Sequence, residues 1–141
     1  AGVTAAGSIH GPDGVAVDSA GGILAGEFSN NRRSRCTVAA DGTPTFDRAF
    51  GLDVIPGGTT GFENCTAAST CKDGLTLAQS DAAGLAAQNY SIEVGPDGRY
   101  FVSDYTTNRV DVFSRAADGT ISFDQAFGAG GRPVRGPVRG C

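Results

Sequence analysis

Few side chains in this 141-residue sequence are equipped for reaction chemistry. There is one histidine, His10, three glutamates, and four cysteines at positions 36, 65, 71 and 141. Nucleophilic or general acid–base catalysis needs a nucleophile, a base and an orienting group brought together. A lone histidine near the N-terminus cannot supply that set, and no Gly-x-Ser-x-Gly, phosphate-cradling Gly-rich loop or Cys-x-x-Cys-His occurs. The expectation is a protein that is not an enzyme and carries no cofactor or resident metal. Asp18, Asp97, Asp104 and Asp111 offer oxygens that a cation would accept. Beside turns, the same side chains accept backbone N–H bonds, and that is the role expected of them.

The cysteines read more clearly. Cys65 and Cys71 are separated by five residues in a Gly/Thr/Ser-rich stretch, an easy span for a local disulfide. Zinc would need further ligands close by, and His10 is far away in sequence, so a disulfide is favoured. An oxidised pair implies a secreted or cell-surface protein. The sequons Asn64-Cys65-Thr66 and Asn89-Tyr90-Ser91 fit that compartment. Cys36 and Cys141 are then left as partners, within one chain or between two. The alternative for Cys36 is a buried free thiol.

The bulk numbers exclude other classes. A net charge of -4 lacks the basic footprint that nucleic-acid binding requires. No run of 18 apolar residues is present to span a bilayer. The chain begins at Ala1 without a signal-peptide pattern, so a leader has been removed or an upstream part is absent. Abundant glycine and repeated Asp-Gly steps indicate strands and turns rather than helices.

Self-similarity decides the architecture. Residues 15–51 lie over residues 92–128 without a gap, and 14 of 37 positions are identical. The matches include Asn31-Arg32 with Asn108-Arg109, Ala39-Ala40-Asp41-Gly42-Thr43 with Ala116-Ala117-Asp118-Gly119-Thr120, and Ala49-Phe50-Gly51 with Ala126-Phe127-Gly128. Each copy divides at turn residues into four short strands: Gly14–Asp18, Ile23–Phe28, Arg32–Ala39 and Pro44–Phe50 in the first, and Ser91–Gly95, Arg99–Tyr105, Arg109–Arg115 and Ile121–Phe127 in the second. In the last of these, Ile121, Phe123, Gln125 and Phe127 alternate with small or polar residues and are expected on one face.

The stretch Gly11-Pro12-Asp13-Gly14-Val15-Ala16-Val17-Asp18, with Asn30-Asn31-Arg32 and Arg48-Ala49-Phe50-Gly51, resembles the NHL repeat of β-propellers, most of all its secreted bacterial form. In that form a blade commonly closes on Phe-Gly and is followed by a Gly-rich, Phe-containing insert with two cysteines, as in Gly57 through Cys71 here. The resemblance spans about residues 11–128. It implies four-stranded antiparallel blades packed on one another, and an apolar residue at the strand position that Arg33 occupies. Some propellers of this type are metal-dependent lyases with several channel histidines, which this chain does not have.

The expected organisation is all-β: an N-terminal arm (1–13), blade 1 (14–51), an inserted loop (52–88), blade 2 (89–128) and a C-terminal arm (129–141). Propellers need about four to eight blades to close, so two must be completed by further chains or by the remainder of a longer one. Three chains would make a ring, and a rotation that does not close would make a filament. The C-terminal arm holds Arg132, Arg135 and Arg139 in a tandem Pro-Val-Arg-Gly pattern with no acid, suited to docking on an acidic neighbour. Its alternative is a disordered tail. The insert contributes Phe62, Leu75 and Leu77 as apolar residues that need covering, and a loop of its length is usually functional. These residues are the expected contacts. The functional expectation is a secreted structural subunit whose partner is itself. The alternative is a ligand- or protein-binding module belonging to a larger propeller.

Overall fold

A computed structural model describes residues 7–66, 70–75 and 89–128. They form nine strands in two antiparallel sheets, with no helix among the described residues and hence none long and apolar enough to cross a membrane. The first sheet runs in the order β1 (Pro12–Val17), β2 (Ile23–Glu27), β3 (Arg32–Val38), β4 (Pro44–Leu52), β5 (Phe62–Thr66). The second runs β6 (Asn89–Val94), β7 (Tyr100–Asp104), β8 (Arg109–Arg115), β9 (Ile121–Phe127).

Turn chemistry sets these limits. Asn31 and Asn108 adopt left-handed backbone angles, φ 49° and 52°, a conformation that asparagine tolerates better than most residues. They occupy the same place in each copy, between the second and third strands. Asp18 closes the β1–β2 turn by accepting from the Ala20 and Gly22 N–H groups at 3.0 and 2.8 Å. Asp97 and Asp104 do the same for Arg99 and Thr107. The expected turn-capping role therefore falls to three of the four aspartates, and Asp111 instead pairs with Arg109.

Two sequence expectations need correction. The first sheet has five strands rather than four, because the insert contributes β5. Its Phe62, Glu63, Asn64, Cys65 and Thr66 pair antiparallel with β4 from Leu52 back to Arg48. Alternation sends Phe62 and Asn64 toward the second sheet and Cys65 to the opposite side. The edge of β4 would otherwise leave its backbone groups unpaired.

The other correction concerns β9. Its pairing with β8 shifts by one residue, with Val112 opposite Gln125 but Phe113 opposite Phe123, so Asp124 is an extra, bulged residue. A bulge inverts the side-chain phase. Phe123 therefore faces inward and Phe127 outward. Asp47 makes the equivalent bulge in β4.

The two sheets share one core. Leu24 and Phe50 of the first sheet pack with Ile92, Tyr100, Val102, Phe113 and Ile121 of the second, and Phe62 and Phe123 border the group. The sheets approach most closely at β1 and β6. A Cβ on Gly14 would lie 2.9 Å from the Ile92 nitrogen and the Ser91 Cα, so only glycine fits there.

Candidate interaction surface

The joint between the sheets mates unlike faces. The first sheet presents Leu24, Arg33, Arg35 and Phe50, whose counterparts in the second copy are Phe101, Val110, Val112 and Phe127. Strand pairing places those counterparts on the far side of the second sheet. Conversely, the second sheet presents Ile92, Tyr100, Val102 and Phe113. Their counterparts Val15, Ile23, Ala25 and Cys36 lie on the far side of the first. The two copies are stacked head to tail, not back to back.

Three polar devices fix this joint. The first is Asp18, whose Oδ2 accepts from Arg35 Nε at 2.6 Å and from the Tyr100 hydroxyl at 3.0 Å. Burial pushes the Asp18 carboxyl up, but bonds from Arg35, the Gly22 N–H and Tyr100 outweigh it and hold the pKa at about 2. Burial, and then the bond to Asp18, takes Tyr100 up to about 12. The bond to Asp18 raises Arg35 as well. Asp47, the bulged residue, accepts from the same guanidinium at 2.9 Å.

The second device is Arg33, fully buried on the face where an apolar residue was expected. Its guanidinium lies 5.2 Å from the centre of the Phe113 ring, an attractive cation–π geometry. Around it are Asp104, Asp111 and Arg109 of the second sheet. Burial lowers Arg33 to about 10 against the opposing pull of Asp111 and Asp104. Burial likewise raises Asp111 to about 6, although Arg109 and Arg33 both favour its charged form. Arg109 Nε sits 2.8 Å from Asp111 Oδ1 without good hydrogen-bond alignment, and its second nitrogen donates to Oδ2 at 3.4 Å.

The third device is on β5. Asn64 Nδ2 donates to the Ile121 carbonyl at 2.8 Å, and the Ile121 N–H donates to Asn64 Oδ1 at 2.9 Å. Beside this clamp, Phe62 stacks on Phe113 with ring centres 5.6 Å apart.

The far face of the first sheet is partly roofed. Val54 and Cys71 of the insert pack with Ala49 and Cys65, next to Phe46 and Ile55. Lys72, Gly74 and Leu75 donate backbone bonds to Val54, Asn30 and Leu52. Buried Glu27 collects Asn30, Arg32, Ser34 and the His10 N–H, and Arg32 also bonds the Ser8 carbonyl at 2.6 Å. The β1 side of this face is open, where Val15 and Val17 are 63% and 62% exposed. Their counterparts differ sharply: Ile92 is 1% exposed and Val94 is partly buried in the core.

Two clefts flank these surfaces. One, of about 450 Å³, lies on the far side of the second sheet among Asp104, Tyr105, Asn108, Val110 and Phe127. A smaller one, about 190 Å³, sits at the turns among Asp18, Asp97, Tyr100 and Arg115.

The residues expected to act as a site are therefore spread out. Cys65 and Cys71 form a disulfide, with Cα atoms 5.7 Å apart. Cys36 is a free, half-buried thiol raised by burial and then by Glu27 and Asp47. Phe62 lies inside the joint, and Leu75 is half-buried beside β4. Leu77, Arg132, Arg135, Arg139 and Cys141 lie outside the described residues. Of the joint residues, the sequence singled out Asp18 as a turn cap, Asn64 as a sequon and Arg33 as a break in an apolar pattern, none of them as part of a joint, and it did not single out Tyr100. The alternation of Phe62, Asn64 and Thr66 was the available sign of β5.

No family profile matches the chain, and no curated protein matches it. Among solved structures, a protein of unknown function from Desulfotomaculum acetoxidans DSM 771 aligns at 21% identity and TM-score 0.35, over 92% of this chain and 47% of its own. A protein from Lactobacillus plantarum aligns at 13% identity and TM-score 0.32, over 82% of this chain and 41% of its own. The chain spans less than half the length of each of these structures.

Proposed function

We propose that this chain is a secreted, non-catalytic structural subunit that assembles with itself by propeller-type packing of one sheet on the next, as a ring or a filament. The observation that carries the reading is the head-to-tail joint. A pair of sheets mated through unlike faces has one unmatched face at each end, so the same contact can be repeated. The NHL-like repeat supports the blade interpretation, and the Cys65–Cys71 disulfide is compatible with an oxidising compartment. The strongly shifted carboxyls, Asp18 and Asp111, are both engaged by arginines within the joint, which fits a structural role. Light scattering across a concentration series tests the proposal, with particles heavier than 14.2 kDa expected. A mass of one chain at every concentration would overturn it.

The 450 Å³ cleft beside Phe127 favours a second reading, a binding module within a larger propeller. A strictly monomeric chain whose thermal midpoint rises with an added glycan or peptide would favour that reading over assembly.

A further inference from the structure

The joint inside the chain is a template for a joint between chains. We propose that the far face of the second sheet, carrying Phe101, Val110 and Phe127, docks on Val15, Val17 and Ile23 of another copy. This rests on the self-assembly reading and names the partner and both surfaces.

Three observations carry it. Phe101, Val110 and Phe127 are the counterparts of Leu24, Arg33 and Phe50, which already bind a sheet within the chain. Val15, Val17 and Ile23 are the counterparts of Ile92, Val94 and Tyr100, which already receive one. Val15 and Val17 are exposed, against 1% for Ile92, so the receiving side is uncovered, while on the docking face Phe101, Val110 and Phe127 are half-buried around a fully buried Val112.

Two residues keep the new joint from copying the old one. Ser91 stands where Gly14 lies, the place at which a Cβ comes within 2.9 Å of the facing backbone. Glu93 stands where Ala16 is buried, so a carboxylate must lose water on docking. The area is also limited, because the insert roofs the β3–β5 side of the receiving face. A face of four short strands covers on the order of 400 Å² per chain, below the size of a standard stable interface. The joint between chains is therefore weaker than the joint within one, and assembly depends on concentration.

Sedimentation over a concentration series tests this with the wild type, Val17→Asp and the double variant Ser91→Gly/Glu93→Ala. Val17 is 62% exposed and neither Ser91 nor Glu93 is in the core, and circular dichroism verifies that each variant is folded. Association is expected to fall at least about tenfold in Val17→Asp and to rise about tenfold in the double variant. Association of the wild type that is unchanged in both variants would overturn this surface assignment and leave self-assembly standing. Monomers in all three proteins would overturn both. Association that appears only after residues 129–141 are removed would give the face to the chain's own C-terminal segment and defeat the proposal.

Discussion

Asn64 holds Ile121 by two hydrogen bonds, one in each direction, so that a side chain of β5 completes the backbone bonding at the start of β9. Both polar atoms of the amide are engaged. This nitrogen is part-buried against the Ile121 carbonyl, where a glycan would be crowded by the second sheet, so this sequon is expected to be unmodified in the folded chain.

Replacing Asn64 by Asp keeps the acceptor and loses the donor, setting a carboxylate against the Ile121 carbonyl. The loss should be about 1 to 3 kcal/mol in denaturant unfolding. A change below ~0.5 kcal/mol would mean that the clamp does not tie β5 to the second sheet.

The disulfide closes a short loop, and loop-closure entropy alone gives about 2 kcal/mol for that length. A Cys65→Ala/Cys71→Ala variant should therefore unfold earlier by about that amount. Equal stability of the two proteins would show that the pairing of β5 with β4 and the backbone bonds of Lys72, Gly74 and Leu75 hold the insert without the disulfide.

Two carboxyls give opposite pH dependence. Asp18 has its pKa lowered to about 2 from 3.8, so its stabilisation is present above pH ~4 and lost as the pH falls toward 2. Asp111 is raised to about 6. Its contribution is full below pH ~4 and is lost as the pH rises through 6. Unfolding curves of Asp111→Asn should lack the decline between pH 4 and 6, and those of Asp18→Asn should lack the acid loss. A wild-type slope in either variant would assign that titration elsewhere.

Phe123 and Phe127 separate the two possible phases of β9. Phe123 borders the core edge-on to Phe113, with ring centres 5.8 Å apart, and truncation to Ala should cost about 3 kcal/mol. Phe127 lines the outer cleft, and its truncation should cost about 1 kcal/mol. Equal losses would mean that the bulge at Asp124 is misplaced.

The strands and turns were legible because each is written locally. Asp41-Gly42, Asp118-Gly119 and the two Asn-Arg steps fall at reversals, and β-branched and aromatic residues fill the segments between them. What escaped depends on distant partners. Arg33 interrupts an apolar pattern until Asp104, Asp111 and Phe113 are brought around it by the second copy. Asn64 reads as a modification signal until its amide meets Ile121. The run from Phe123 to Phe127 looks like unbroken alternation, and only pairing with β8 reveals the extra residue. β5 was hidden by its polar composition, since Glu63 and Asn64 serve turn and joint hydrogen bonds rather than a uniform apolar face.

The bulges at Asp47 and Asp124 also bear on how the sequence can change over time. Upstream of each, the last strand shows Phe46 or Phe123 to one side; downstream it shows Phe50 or Phe127 to the other. Gaining or losing a single residue between the Asp-Gly reversal and the final Phe-Gly would exchange those sides, leaving aromatics in water and polar atoms in the core. Point substitutions are absorbed easily there, as Arg48 against Gln125 demonstrates, while length is not. The segment behaves like a reading frame, and that is a physical reason for two copies that differ at most of their positions to align without a gap.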